Sequence, residues 1–505
     1  MFMAVLLPLL SVTSCRDKDE PERPNEKYAI SDDGADIRKY VNIFACNMVN
    51  SYYLWIDEIK PVMDSWDINC DPMEKIKEAR YKDSDGNDID RWTQLTDDYK
   101  AFTSAVAGTS TTYGFDFNLY YYDSSLTSVC AVVTVVYDDS PAAKAGIKRG
   151  DCITKITGKT MTPDNYSDIL NDSFFGAASC TLTMHGGGTV KMSPVSMYED
   201  PVVIYRTFDC SGKKVGYLFY NSFTLKSYLR LIEACKYFKA EGVSELVLDL
   251  RYNGGGYTLT EQALASMLAP EKDVLAGNIF ETSVYNSKLT EVLGSGAVPF
   301  KTDFSYTDNK ETITYSTAGA NIGLKKIYAI VTDASASASE SLIGCLKPYI
   351  DIEVIGRKTL GKFCSGIIYS SNDWYEDVKD QLPYSDYCNG LKYADNWGIY
   401  VMIGRYADKN GNTLCMPDGI ETDTMAEDNP MDGRKLGDPE ESMLGIALAH
   451  AGYIPTATMG LSRCEPGLSI GAPLPFSEQP RRPGFGMRIV RPNVIKHTDN
   501  NIVKD

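Results

Sequence analysis

The chain is poor in positive charge, in histidine and in long apolar runs. Lys and Arg number 50 against 68 Asp and Glu, leaving a net charge of −18. That excludes nucleic acid as an expected partner, because phosphate binding needs clustered cations. Beyond the first residues, no apolar stretch approaches the roughly 18 residues of a spanning helix. No CxxC pair exists, so a zinc site has no support. The three histidines, His185, His450 and His497, fall in an expected hairpin, a late helix and the tail, which leaves a Ser–His–Asp triad unsupported. At 505 residues and 43% hydrophobic, the chain can hold two to four domains with real cores.

Met1 to Leu10 form an apolar segment too short to span a membrane, closed by Val12-Thr13-Ser14-Cys15. Residues 1–15 resemble a bacterial lipoprotein signal whose cleavage leaves a lipidated Cys15, although no Lys or Arg precedes that cysteine. A chance cysteine near a trimmed cytosolic N-terminus is the competing reading. Residues 16–35, charged and containing Pro21 and Pro24, read as a tether. The expected setting is therefore extracytoplasmic, with the chain anchored to a bacterial membrane through Cys15. Thirteen cysteines would leave twelve after lipidation, an even number that permits disulfides. Yet Cys130, Cys180, Cys235 and Cys345 sit inside apolar runs, as small buried hydrophobes do, and pairing stays open.

Residues 36–104 read as a helical domain, with Val41, Phe44, Met48 and Tyr52 at helical spacing. Its Asp83–Asp88 stretch reads as a solvated turn, since Gly86 falls too early for a calcium loop. Residues 105–198 turn to short strands. There Ser140–Asp151 predicts a short helix ended by Gly146 and a tight Gly150-Asp151 turn into Cys152–Ile156. This segment resembles a PDZ domain of the bacterial protease type, which takes a peptide C-terminus by strand addition and holds its carboxylate on loop N–H groups. Tyr113-Gly114-Phe115 is the candidate for that loop; a glycine that merely starts a strand reads equally well. His185-Gly186-Gly187-Gly188, between two strand-like runs, predicts a hairpin turn rather than an oxyanion motif.

Residues 199–430 alternate strands and helices. Val215–Tyr220 and Leu246–Leu250 predict buried strands, and Leu225, Leu229, Ile232 and Cys235 predict one helical stripe ended by Gly242. Thr258 and Glu261 predict a capping box. The alternation argues an α/β (α+β mixed) fold whose mainly parallel sheet carries its site at strand C-terminal ends. Residues 431–505 predict a helix through Ala449 and then an irregular tail.

At one strand end stands Ser335-Ala336-Ser337-Ala338-Ser339-Glu340, and Gly361-Lys362 follows one further apolar run. Free N–H groups and the positive end of a helix dipole favour a developing anion there. A lysine can activate a serine once desolvation or a neighbouring cation lowers its affinity for a proton, and Thr359, Leu360 and Phe363 offer Lys362 an apolar wall. On spacing alone, a solvated loop lysine and a helix-capping serine explain these residues as well.

Taken with Asp249-Leu250-Arg251-x-Asn253-x-Gly255-Gly256, the set resembles the carboxyl-terminal processing, or tail-specific, serine protease family from the PDZ segment to Glu441. The resemblance implies a crotonase-like protease core with an inserted PDZ-like domain. It implies protein or peptide substrates engaged through unstructured C-terminal ends, and no metal, nucleotide or other small-molecule cofactor. It makes Ser337 the nucleophile and Lys362, 25 residues later, the general base, which selects Ser337 over Ser335 and Ser339. It also suggests the N–H groups of Gly255 and Ala338 for the oxyanion, with Asp249 and Arg251 supporting the loop. Where the family often has Asp and Gln, this chain has Pro348 and Gly366, leaving Ser365 or a backbone carbonyl to hold Lys362. That departure motivates one rival, an inactive relative that binds peptides or proteins. A second rival, a glycan-binding surface lipoprotein, rests on 33 Tyr and five Trp, but these are dispersed and leave the Ser–Lys spacing unexplained.

Overall fold

A computed structural model describes residues 32–308, 311–413, 417–455, 470–475 and 487–490. Cys15, the signal segment, most of the tether and His497 lie outside them. Lys213–Tyr220, Glu245–Asp249, Lys326–Val331, Asp351–Gly356 and Thr424–Met425 lie parallel in one sheet, with Val202–Cys210 antiparallel at its edge. Their apolar runs are near continuous because both faces are covered. Leu246, Leu248, Ala329 and Val331 face the helices Tyr228–Ala240, Thr258–Leu268 and Ala338–Leu346. The alternate residues Val247, Tyr328 and Ile330 face Ser442–His450. Parallel pairing sets the C-terminal ends of Glu245–Asp249 and Lys326–Val331 side by side, so the glycine turn and the serine run meet.

Two local expectations fail. The helix begins only at Tyr228, after a separate turn at Leu225–Ser227, and buries Leu231, Ala234, Cys235 and Phe238; Leu229 is 62% exposed. The later start rotates the apolar stripe away from the one anticipated. The Thr258/Glu261 capping box does not form either. Tyr257 occupies the cap, Thr258 Oγ1 donates to Ile489 O at 3.2 Å, and the buried Glu261 carboxylate accepts from Ser341 Oγ.

In a second sheet Gly398–Ala407 is flanked by Cys364–Ser370 and Ile279–Tyr285, and the N-terminal strand Gln94–Thr96 pairs with Gly398–Tyr400. Val41, Phe44, Met48 and Tyr52 of helix Asp32–Tyr52 are buried in the same cluster as Leu248 and Ala329. The PDZ-like segment, by contrast, has its own antiparallel sheet, Phe115–Tyr121, Val129–Val136, Cys152–Ile156, Cys180–Met184 and Thr189–Met192, and its own core around Leu119, Val133 and Leu182. His185–Gly188 closes a hairpin there, Met184 N–H donating to Gly188 O at 2.8 Å. No disulfide joins the ten described cysteines, and Cys130, Cys180, Cys235 and Cys345 are buried. Among the described residues, no helix is long and apolar enough to cross a membrane.

Candidate active site

The serine run separates by what each hydroxyl touches. Ser335 Oγ donates to Leu250 O (2.8 Å) and Ser339 Oγ to Asn253 O (2.9 Å), so both stitch the run to the glycine turn. Ser337 Oγ is buried and completes no hydrogen bond, though it faces the Glu340 N–H in a capping-box arrangement. Ser337 also stands at φ 65°, a left-handed backbone that a non-glycine residue holds only where surrounding structure imposes it. It caps the helix Ala338–Leu346, whose first N–H, that of Ala338, has no acceptor within the helix.

Glu340 joins this serine to the lysine loop. Its buried carboxylate accepts from Ser337 N–H (2.7 Å), Gly361 N–H (2.7 Å), Lys362 N–H (2.9 Å) and Thr359 Oγ1 (2.5 Å). Ser337 and Lys362 share one oxygen, Oε2, so their backbone nitrogens stand no more than two hydrogen-bond lengths apart. Burial raises the Glu340 carboxyl above its ordinary range, and the four donors pull it back. The sequence shows this residue as the last letter of Ser337-x-x-Glu340, a capping signature whose reach to residues 359–362 only the fold reveals.

The lysine side chain turns inward. Lys362 Nζ is fully buried, donates to Tyr400 OH at 3.0 Å and lies 4.7 Å from the Trp92 ring centroid. Ser365, expected to hold it, donates to Gly404 O instead (3.3 Å), because the strand Cys364–Ser370 turns that side chain to its neighbour. The hydroxyl beside the Lys362 amine is that of Tyr400, and neither Tyr400 nor Trp92 carries a sequence signal. The structure thus brings the Ser337 and Lys362 backbones together while the hydroxyl itself stays unpartnered.

The glycine turn supplies the other wall. Gly255 has φ 108°, and a Cβ there would stand 2.7 Å from Ser337 Cβ, so only glycine permits this approach. Its N–H donates to Asn253 Oδ1 (2.9 Å); serving an oxyanion requires that bond to be exchanged. Asp249 and Arg251 are buried behind the turn. Arg251 bonds Asp249 through Nε (2.9 Å) and Nη2 (2.7 Å), Glu441 through Nη1 (2.6 Å) and Nη2 (2.9 Å), and Asp428 through Nη1 (2.8 Å). Arg149, from the PDZ-like segment, reaches Asp428 (2.7 Å) and Tyr252 OH (2.9 Å). Burial pushes the Asp249 carboxyl up against the pull of Arg251. At Asp428 burial is outweighed by the guanidinium groups of Arg149 and Arg251, and the carboxyl falls to about 2.

Residues 214–426 match the model of Peptidase family S41, and residues 132–173 match a PDZ domain. The core is similar to a family S41 peptidase domain. Over 271 residues, 51% of this chain and 48% of the relative, it is 28% identical to a "Probable CtpA-like serine protease" of Staphylococcus aureus strain N315. It is also 28% identical, over 231 residues, to a carboxy-terminal-processing protease of Bartonella bacilliformis, 45% of this chain and 47% of that relative. The chain thus spans about half the length of these curated relatives. A crystal structure from Bacteroides fragilis NCTC 9343, described as that of an S41 protease, shares the fold, with TM-score 0.61 at 23% identity over 80% of this chain and 96% of that one.

Around this S41-like core, the PDZ loop candidates are placed mainly for packing. The rings of Tyr113 and Phe115 are buried in the PDZ core, Tyr113 stacking on Phe174 at 4.7 Å. Gly114 N–H donates to Thr112 Oγ1 (3.0 Å), and a Cβ on Gly114 would stand 2.2 Å from Ser140 Cβ.

Proposed function

We propose that the chain is a serine endopeptidase with Ser337 as nucleophile and Lys362 as general base. The observation that carries this reading is that Ser337, alone among Ser335, Ser337 and Ser339, has an unengaged hydroxyl, while Glu340 ties its N–H and that of Lys362 to one oxygen. Ser337 Oγ attacks the substrate carbonyl and passes its proton to the neutral Lys362 amine. The oxyanion is received by the N–H of Ala338 and, once released from Asn253, that of Gly255. The lysine ammonium then protonates the departing amine, and water, deprotonated by the same amine, hydrolyses the acyl group from Ser337. Asp249 and Arg251 hold the turn.

The PDZ domain supports substrates presented as extended protein or peptide ends. The lipobox-like Val12–Cys15 supports an extracytoplasmic site, with the chain lipid-anchored at Cys15. Casein and a peptide with an apolar C-terminus are the test substrates for wild type, Ser337→Ala and Lys362→Ala. Both variants should lose at least about 1000-fold in kcat/KM; equal rates in all three would rule the dyad out. A second reading, a silent peptide-binding relative, is favoured by the Gly255 N–H being engaged with Asn253. Retained peptide binding without turnover would select it.

A further inference from the structure

Beyond Tyr453, where the sequence promises only an irregular tail, two short stretches pair as strands. Residues 470–475 run antiparallel along the open edge of Phe115–Tyr121. Tyr121 N–H donates to Ala472 O (3.0 Å), Gly471 N–H to Tyr121 O (2.8 Å) and Leu474 N–H to Leu119 O (3.0 Å), with Tyr120 opposite Pro473. Leu474 is 2% exposed and belongs to the PDZ core. Edge pairing with one apolar side chain sunk into the domain is how a PDZ domain takes a peptide. Here the peptide belongs to the chain itself.

The second stretch, Met487–Val490, lies between the two walls of the active site. Arg488 and Ile489 pair with Gly256 and Tyr257 on one side, and Val490 N–H donates to Gly366 O (2.9 Å) on the other. Ile489 is 2% exposed and Met487 4%. The Met487 carbonyl oxygen stands 2.9 Å from where a Cβ on Gly255 would be, beside Ser337. Ser337 and Lys362 are both 0% exposed, so a substrate strand must take the place this segment holds.

We propose that the C-terminal stretch is a tethered ligand of its own PDZ edge and its own cleft, holding the peptidase off until an extended peptide end displaces residues 470–475. The inference rests on the peptidase reading above. It accounts for the Gly255 N–H being turned to Asn253 and for the unpartnered Ser337 hydroxyl: the catalytic groups stay unassembled while the segment is seated. Because both strands belong to one chain, each raises the effective concentration of the other, and freeing the first weakens the second.

The full chain carrying Leu474→Asp tests this, with Gly471→Pro as a second variant that breaks the pairing without touching the PDZ core. The readouts are the rate of fluorophosphonate labelling at Ser337, kcat/KM on an extended peptide, and amide hydrogen exchange at Tyr121 and Val490. Both variants should label and cleave about tenfold faster or more, with both amides exchanging faster. Faster exchange with unchanged labelling would overturn the inference, as would a Tyr121 amide that opens while Val490 stays protected. Unchanged exchange in both variants would overturn it too. If no form labels at Ser337 while Ser337→Ala still cleaves, the nucleophile assignment has failed and this regulation falls with it.

Discussion

Two buried anionic centres flank the glycine turn, and they are satisfied in opposite ways. Glu340 is held by three backbone N–H groups and the Thr359 hydroxyl, all within 22 residues of it. Asp249, Asp428 and Glu441 are held by the guanidinium groups of Arg149 and Arg251, with 279 positions separating Arg149 from Asp428. The two carboxyls respond accordingly: burial wins at Glu340 and raises it, while the cations win at Asp428 and lower it. Directed amides fix local geometry, here the approach of the Ser337 and Lys362 loops. Cations draw distant segments together, here the PDZ-like segment, a strand end and the Ser442–His450 helix.

The largest effect should come from removing the shared cation. Arg251→Met leaves Asp249 and Glu441 buried without their main partner and should cost about 3–5 kcal/mol in urea unfolding. A loss below about 1 kcal/mol would mean that the cluster does not depend on Arg251, and the contrast would collapse. Next comes Glu340→Gln, nearly isosteric, which aims an amide NH2 at groups that are themselves donors. It should cost about 1–3 kcal/mol and, through displacement of Ser337 relative to Lys362, slow fluorophosphonate labelling about 100-fold. Normal labelling in a destabilised Glu340→Gln chain would reduce the amide cradle to a structural cap.

Much of this was legible from residue order. Near-continuous apolar runs marked the parallel strands, while the choice of Ser337 rested on the family resemblance and its 25-residue step to Lys362 rather than on the order of residues itself. What stayed hidden depends on register between distant strands. Tyr400 reaches Lys362 only because Gly398–Ala407 lies beside Cys364–Ser370, and Asp428 meets Arg149 only through contact between the PDZ-like segment and the core. The strand Arg488–Ile489 is too short to carry a period of two, and the tail's Pro and Gly content hides both paired stretches. The misplaced stripe at Leu229 is a phase error: the separate turn before Tyr228 resets which face of the helix is buried.

Acid acts on Asp428 and on Glu340 with opposite signs. The Asp428 carboxyl lies near 2 when folded, below its ordinary 3.8. Its contribution is therefore present above pH 3.8 and lost as pH falls through about 2, roughly 2 kcal/mol in all. The raised carboxyls of Glu340 and Asp249 act in the opposite direction, becoming less unfavourable as they protonate. Urea stability should thus fall more between pH 5 and 2 in wild type than in Asp428→Asn. Parallel curves for the two would show that the cations do not hold Asp428 ionised.

The smallest effect probes where the amide cradle ends and the amine begins. Glu340 fixes the Lys362 backbone, but the side chain is aimed by Tyr400 OH at 3.0 Å and by the Trp92 face. Tyr400→Phe keeps both rings and deletes one hydrogen bond, worth about 1 kcal/mol. The expected outcome is a fall in kcat of about tenfold or less with KM unchanged. If Tyr400→Phe labels at the wild-type rate, backbone anchoring alone positions the amine, and Glu340 rather than Tyr400 is what replaces the orienting group absent at Gly366.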